Sequence, residues 1–176
     1  MIVCAGNNEV FDFATPIGVG LLDSAINLTR ICLMNPPEFI LFIGSAGSYG
    51  EREIFDIVES KSATQIENSF FNAASYTPIE NVVSTAQNIK NEILVNSSNY
   101  ITTDKTLGKY YLSHNIGLEN MEFYAIAKVA REFNIPMGGV FIVTNYCDSN
   151  AHKEFKANHT EAMRRLGEYI KRRNLN

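Results

Sequence analysis

Phe39-Ile40-Leu41-Phe42-Ile43 runs without a polar break into Gly44-Ser45-Ala46-Gly47-Ser48. A short apolar run closed by small polar residues suits a strand buried on both faces, as a parallel sheet requires. Working outward, Pro36-Pro37 closes a helix expected over Ile17–Leu33, with apolar residues at Leu21, Leu22, Ala25, Ile26, Leu28 and Cys32. A first strand is expected over Ile2–Ala5, ahead of that helix. Downstream, Phe55-Asp56-Ile57-Val58 reads as a shorter strand. Ser60–Ser84 has no clear period and reads as loop plus edge strand. Ala86–Asn91 reads as a weak helix and Ile93-Leu94-Val95 as a strand leading into Asn96-Ser97-Ser98-Asn99. Ile116–Glu119 reads as a strand handing over to a helix over Met121–Phe133. There Met121, Ala125, Ile126, Val129 and Phe133 share one face. Asn134-Ile135-Pro136 ends it, and Val140–Val143 is another buried strand. The final helix is expected over His159–Arg173, with Asn158 as N-cap and Glu161 completing a capping box. Lys171, Arg172 and Arg173 suit its C-terminal dipole and read as a solvated helix end. Strands alternating with helices predict one α/β domain over residues 1–176, a mixed, mainly parallel central sheet flanked by helices.

Composition narrows the function. The chain has 176 residues, 45% hydrophobic and 19% charged, values of a globular domain with a real core. With 15 basic and 19 acidic residues the net charge is −4, the wrong sign for a general nucleic-acid or anionic-membrane binder. No apolar run approaches the ~18 residues of a membrane span. No basic leader precedes Ile2-Val3-Cys4-Ala5, so a secretory signal is not expected. The 3 cysteines, Cys4, Cys32 and Cys147, are widely spaced, which argues against a disulfide framework or a cysteine zinc site. A cytoplasmic protein is the expectation.

Four places could carry chemistry. Gly44-Ser45-Ala46-Gly47-Ser48 sits at a strand end, where ligands bind in open α/β sheets. Its small residues let backbone N–H groups approach an anion or a sugar, or they make a plain turn. It is neither a P-loop nor a dinucleotide turn, since no Lys-Ser or Lys-Thr follows and the GxGxxG spacing is missing. Glu122, in Asn120-Met121-Glu122, could accept from two vicinal hydroxyls of a ribose, or complement a helix dipole. Thr144-Asn145, with Asp148 close behind, faces the crevice that Ser45 faces, or serves turn geometry. Tyr100-Ile101 follows a third strand end, where an aromatic ring could stack on a flat base or form part of the rim. His114, His152 and His159 show no metal-binding spacing, and no metal is expected.

In this order the segments resemble the nucleoside phosphorylase and nucleosidase superfamily, which cleaves N-glycosidic bonds. The matching pieces are Gly44-Ser45-Ala46-Gly47, Phe55-Asp56-Ile57-Val58, Tyr100-Ile101, Asn120-Met121-Glu122 with Ala125-Ile126-Ala127, and the strand entering Thr144-Asn145. The spacing fits from about Ile17 to the C-terminus. The resemblance implies that Tyr100 stacks on the base and Ile101 contacts its edge through the backbone. It places Met121 under the ribose, Glu122 on the ribose hydroxyls, and Gly44, Ser45 and Gly47 at the phosphate or the water. It puts Asn145 at N7 of the purine. No cofactor is implied; phosphate would be a co-substrate. A homo-oligomer, dimer or higher, is implied; the apolar, non-periodic segment Phe70–Tyr76, which no core pattern explains, is expected to bring Phe70, Phe71 or Tyr76 near its interface.

The departures are specific. The chain is short between Ala5 and Pro16. Arginines that the phosphorolytic members use are absent: Phe42 stands before the glycine turn, and no Lys or Arg precedes Arg30 or lies between Arg30 and Arg52. The nucleosidase arginine of the last strand is Phe141, and Glu9 matches the nucleosidases' N-terminal glutamate. The usual catalytic Asp is Asn145, which cannot protonate N7 as a general acid but can hydrogen-bond N7 and a 6-oxo group. Asp148 is the alternative acid. The trimeric 6-oxopurine phosphorylases resemble this chain in using Asn, and Lys156-Ala157-Asn158-His159 looks like theirs. The main expectation is therefore a purine nucleoside phosphorylase-like enzyme acting on inosine or guanosine. The alternatives are a nucleosidase using water, and a catalytically weak protein that binds a purine or nucleoside.

Overall fold

A computed structural model describes residues 1–88 and 92–173. The elements run in the order β1 (Ile2–Cys4), β2 (Thr15–Pro16), α1 (Gly20–Met34), β3 (Ile40–Ser48), β4 (Ile57–Ser60), β5 (Ser62–Thr64) and β6 (Val82–Ser84). Then follow β7 (Leu94–Ser97), α2 (Lys105–Ser113), β8 (Ile116–Asn120), α3 (Phe123–Glu132), β9 (Met137–Tyr146) and α4 (Ala151–Arg172).

The strand that opens at Ile40 does not stop at Ile43. It continues through Gly44-Ser45-Ala46-Gly47 to Ser48 and organises the molecule. β3 pairs with β1 and β9 in parallel and, at Gly47 and Ser48, with β8 antiparallel. β8 pairs with β7, β7 with β5, and β4 with β9. Because Lys61 alone separates β4 from β5, these pairings close a ring: β3, β8, β7, β5–β4, β9 and back to β3. The sheet is mixed and mainly parallel, with the antiparallel contacts at β3–β8, β4–β9 and β5–β6.

The period-2 alternation of the strands sorts their side chains into two cores. Ile40 and Phe42 of β3 join Phe141 and Val143 of β9 in a core with α1 and α3. There Phe42, Phe123 and Phe141 meet with ring centroids 5.0–6.1 Å apart. Leu41, Ile43, Val140 and Ile142 face the other way, onto Ala162, Leu166 and Ile170 of α4. Phe11 and Phe13, from the loop after β1, pack against this second core. Burial of each such side chain is worth roughly 1.5–3 kcal/mol. Among the described residues no helix is long and apolar enough to cross a membrane.

Several boundaries differ from the sequence reading. α4 starts at Ala151, not near His159, so Asn158 is no N-cap; it lies inside the helix and its Nδ2 donates to the Thr144 carbonyl at 2.9 Å. Polar residues on the first two turns mask the helical period there. α3 begins at Phe123, since Met121 and Glu122 lie in the turn before it. α2 went unread in the sequence; Asp104 caps it, accepting from Thr106 N at 2.8 Å. The helix expected over Ala86–Asn91 falls in part on residues 89–91, outside the described residues, and Ala86–Asn88 are not helical. The aromatic segment also has partial core anchorage: Phe71 meets Tyr111 edge-on at 4.7 Å and stacks on Tyr110. Tyr76 is exposed and Phe70 only partly covered.

Candidate active site

The C-terminal half of β3 borders a cavity of about 320 Å³. Ser45, Ala46 and Gly47 form one wall and Glu119, Asn120, Met121 and Glu122 a second. Tyr100 and Ile101 form a third. Asn145 with His152 and Phe155 closes the α4 side, and Gly6–Glu9 with Val19 the remaining one.

Of the residues singled out from sequence, Ser45, Gly47, Tyr100, Ile101, Met121, Glu122 and Asn145 meet around this one cavity. Gly44 and Asp148 do not. Gly44 lies behind the wall, where a Cβ would come within 2.9 Å of the Phe42 ring. Asp148 turns to its own loop: its Oδ1 accepts from Asn150 N at 2.7 Å, ahead of α4. Tyr100 is 81% exposed, so the wall it forms is open to solvent.

Glu122 is buried, and its partners lie in two segments. Oε1 accepts from Gly20 N at 2.9 Å, at the N-terminus of α1. Oε2 accepts from Asn120 Nδ2 and Met121 N, both at 3.2 Å. The carboxylate thus complements the dipole of α1, not of the helix it precedes. Burial nevertheless pushes its pKa up to about 7; the bonds from Gly20 and Met121 oppose the rise and the charge of Glu9 adds to it.

Glu9 is the residue that sequence reasoning raised only through the resemblance. Gly6 and Glu9 exchange backbone bonds of 3.2 and 2.9 Å, folding the loop after β1 back toward β3. Gly6 at φ +91° and Asn7 at φ +54° turn the chain there. The Glu9 carboxylate then meets Ser45: Oε1 accepts from Ser45 N at 3.2 Å and from its hydroxyl. Burial raises the Glu9 pKa, and these bonds partly oppose the rise.

Asn145 is set by an irregularity in the sheet. Ala46 pairs with Val143 and Gly47 with Asn145, so Thr144 is an extra residue on β9. Such a bulge re-aims the side chains that follow it. The Asn145 amide is oriented on both sides: Oδ1 accepts from Thr144 Oγ1 at 2.9 Å and Nδ2 donates to Tyr146 O at 3.1 Å. One N–H of that amide remains for a ligand.

Glu119, His152 and Phe155 also line the cavity, and sequence reasoning assigned none of them a role. A carboxylate on the otherwise apolar run Ile116-Gly117-Leu118 was the signal available for Glu119. His152 and Phe155 lie in helical turns ahead of the helix start expected at His159. Among the described residues, no lysine or arginine lines the cavity. Phe42 and Phe141, at two positions where the superfamily resemblance sets arginines, are fully buried against each other in the apolar core. Among the described residues no three His, Cys, Asp or Glu gather to hold a metal.

Residues 2–172 match the sequence model of the phosphorylase superfamily, and the chain belongs to that family. No match was found among curated proteins. Among solved structures, a mutant 5'-methylthioadenosine nucleosidase of Helicobacter pylori, with 5'-methylthioadenosine in its active site, superimposes with a TM-score of 0.79. It shares 16% identity, over 97% of this chain and 95% of that one. Futalosine hydrolase of the same organism, in a mutant form, gives 0.79 and 17% identity over 97% and 95%. The methylthioadenosine/S-adenosylhomocysteine nucleosidase of Streptococcus pneumoniae, with 8-aminoadenine, gives 0.75 and 16% over 95% and 94%. At these identities the likeness is one of fold.

Proposed function

We propose that the chain is a purine nucleosidase, cleaving the N-glycosidic bond with water as nucleophile. The observation that carries this is the Glu9 carboxylate seated on Ser45 in a cavity whose described lining residues include no lysine or arginine. Phosphate would meet a carboxylate there, where the sequence reading put a phosphate contact. Two acids at the cavity, Glu9 and the buried Glu122, would repel a phosphate dianion. A water molecule, by contrast, finds in Glu9 a base with a raised pKa. The solved structures of similar fold include nucleosidases and a hydrolase, which supports water over the phosphate first expected.

The residues divide the work as follows. Glu122 accepts from the ribose hydroxyls and Met121 packs under the sugar. Tyr100 and Ile101 border the base. Asn145 directs its spare N–H at N7. As the C1′–N9 bond breaks, its electron pair passes to the purine, where the amide stabilises the charge. Water attacks C1′ and gives a proton to Glu9; the purine anion takes up a proton from solvent, Glu9 returns its own to solvent, and the products are free base and ribose. We further propose that two copies associate along α1, which exposes Leu22, Ile26 and Leu33 and whose first turn meets the Tyr100 segment where Leu21 N donates to Asn99 Oδ1.

The test is base release from inosine, adenosine and 5'-methylthioadenosine with and without phosphate. Release at the same rate in both conditions, with ribose as the sugar product, is expected. Strict dependence on phosphate, with a sugar 1-phosphate as product, overturns the reading.

A further inference from the structure

Taking Tyr100 and Ile101 to border the base, as proposed above, we infer that Tyr49 is a positioning residue for that wall: through the Glu119 carboxylate it fixes Thr102 and, with it, the Tyr100–Ile101 segment. Tyr49 is not among the residues that line the cavity.

The wall is exposed yet tethered at both ends. Tyr100 and Ile101 are exposed, while Ser98 and Thr102 on either side are buried. On the N-terminal side, Ser98 N donates to Asn120 O at 3.1 Å and Tyr100 N to Ser98 Oγ at 3.0 Å. Asn99 Oδ1 accepts from Leu21 N at 2.9 Å. On the C-terminal side, Thr102 gives both of its donors to Glu119. Its N reaches Oε1 at 2.8 Å and its Oγ1 reaches Oε2 at 2.6 Å. This second tether is as firm as the carboxylate that accepts it.

Glu119 is buried on β8 and, among the described residues, forms no ion pair. A buried carboxylate without a cation depends on neutral donors. The third donor is the Tyr49 hydroxyl, 2.6 Å from Oε2. Both bonds to Oε2 have the length of charge-assisted O–H···O⁻ bonds, the stronger class. Tyr49 is placed by contacts of its own. Its N donates to Gly117 O at 3.1 Å, and its ring stacks on Tyr111 of α2 with centroids 4.1 Å apart. Tyr111 in turn donates its hydroxyl to Asn68 Oδ1 at 2.7 Å. A Cβ on Gly108 of α2 would come within 2.7 Å of the Tyr49 carbonyl oxygen, so the helix closes on Tyr49 where that side chain is missing. The hydroxyl therefore reaches Glu119 from the packed body of the molecule, not from the loop that Glu119 holds.

Core packing alone is the competing account, since Tyr49 is buried beside Tyr111. Tyr49→Phe separates the two, because it keeps the ring and removes only the hydroxyl. The chain contains no tryptophan, so Tyr100→Trp puts a single fluorophore on the wall. In that background Tyr49→Phe should lower the tryptophan anisotropy and raise its quenching by acrylamide. Thr102→Val should do the same, and Thr102→Ser, which keeps both donors, should not. The two losses should be less than additive in Tyr49→Phe combined with Thr102→Val, because both act through one carboxylate. With Tyr100 intact and phosphate present, so that either nucleophile is served, Tyr49→Phe should raise KM for inosine about tenfold and hold kcat, the scale of one charged hydrogen bond lost from binding alone. Thr102→Val carries the same expectations with the Tyr49–Tyr111 stack untouched, so the result does not depend on Tyr49→Phe folding. Anisotropy and quenching unchanged by Tyr49→Phe overturn the inference, as do strictly additive losses or a fall in kcat at constant KM. A native chain that cleaves no nucleoside overturns the purine reading, and the tryptophan signal still decides the role of Tyr49.

Discussion

A Cβ on Gly44 would lie 2.7 Å from Oε2 of Glu9. The missing side chain is what lets that carboxylate reach Ser45. Gly44 thus matters from behind the cavity, in a way its sequence context did not show. Gly44→Ala should displace Glu9 and abolish most hydrolysis, while Glu9→Gln keeps the shape and removes the base. Both should lower kcat by about 10²–10⁴, the range of a lost general base. Hydrolysis rates without phosphate, with circular dichroism to verify folding, check this; an active Glu9→Gln would remove Glu9 from the mechanism.

Glu122 should make stability fall with rising pH. Its folded pKa is about 7 against 4.5 for an ordinary glutamate. Below pH 4.5 both states carry the proton and the contribution is complete. Between the two values the unfolded chain releases its proton while the folded one keeps it, so stability declines, by roughly 3 kcal/mol in all. Above about 7 the decline ends. Glu9, also shifted upward, adds a change of the same sign. Urea midpoints at pH 5 and pH 8 should therefore differ less in Glu122→Gln than in native protein. An identical difference would place the titration elsewhere.

Asn145 should favour inosine and guanosine over adenosine, because an amide cannot protonate N7 of an adenine leaving group. Asn145→Asp should raise adenosine cleavage relative to inosine and add an acid limb to the pH–rate profile. Asp148→Asn should leave the preference alone, since Asp148 lies outside the cavity lining. Native preference for adenosine would undo the assignment.

Leu22, Ile26 and Leu33 share an exposed face of α1, a large apolar surface for a monomer to carry. Light scattering at micromolar concentration should report a dimer. Leu22→Asp together with Ile26→Asp should give a folded monomer with a raised KM, because the Tyr100 side loses its cover. A monomeric native chain would end this proposal.

The legible parts of the fold were those where one period dominates. Phe39–Ile43, Val140–Val143 and the apolar face of Met121–Phe133 show their burial in the sequence because their neighbours are apolar as well. The β3 extension through Gly44–Ser48 was not legible, since small residues carry no period. The first turns of α4 were not legible either, because Ala151–Asn158 is mostly polar. For the site, Ser45, Glu122 and Asn145 could be named because strand ends point to one crevice. Glu119 could not, since its partners Tyr49 and Thr102 are 70 and 17 positions away and only the closed ring brings them together.

α4 carries both sides of the crevice. Its first turns supply His152 and Phe155 to the cavity mouth. Its later turns hold Phe11 and Phe13, and with them the loop bearing Glu9. Even the position of Gly167 is met by the Phe11 ring, 3.7 Å from where a Cβ would stand. The Glu9 loop and the His152–Phe155 wall are therefore both anchored to one helix. Passage in and out falls to the flank that α4 does not govern, the exposed Tyr100–Ile101 segment. In the pairing along α1 proposed above, the gate is the contact with a second copy, and turnover becomes a property of the pair.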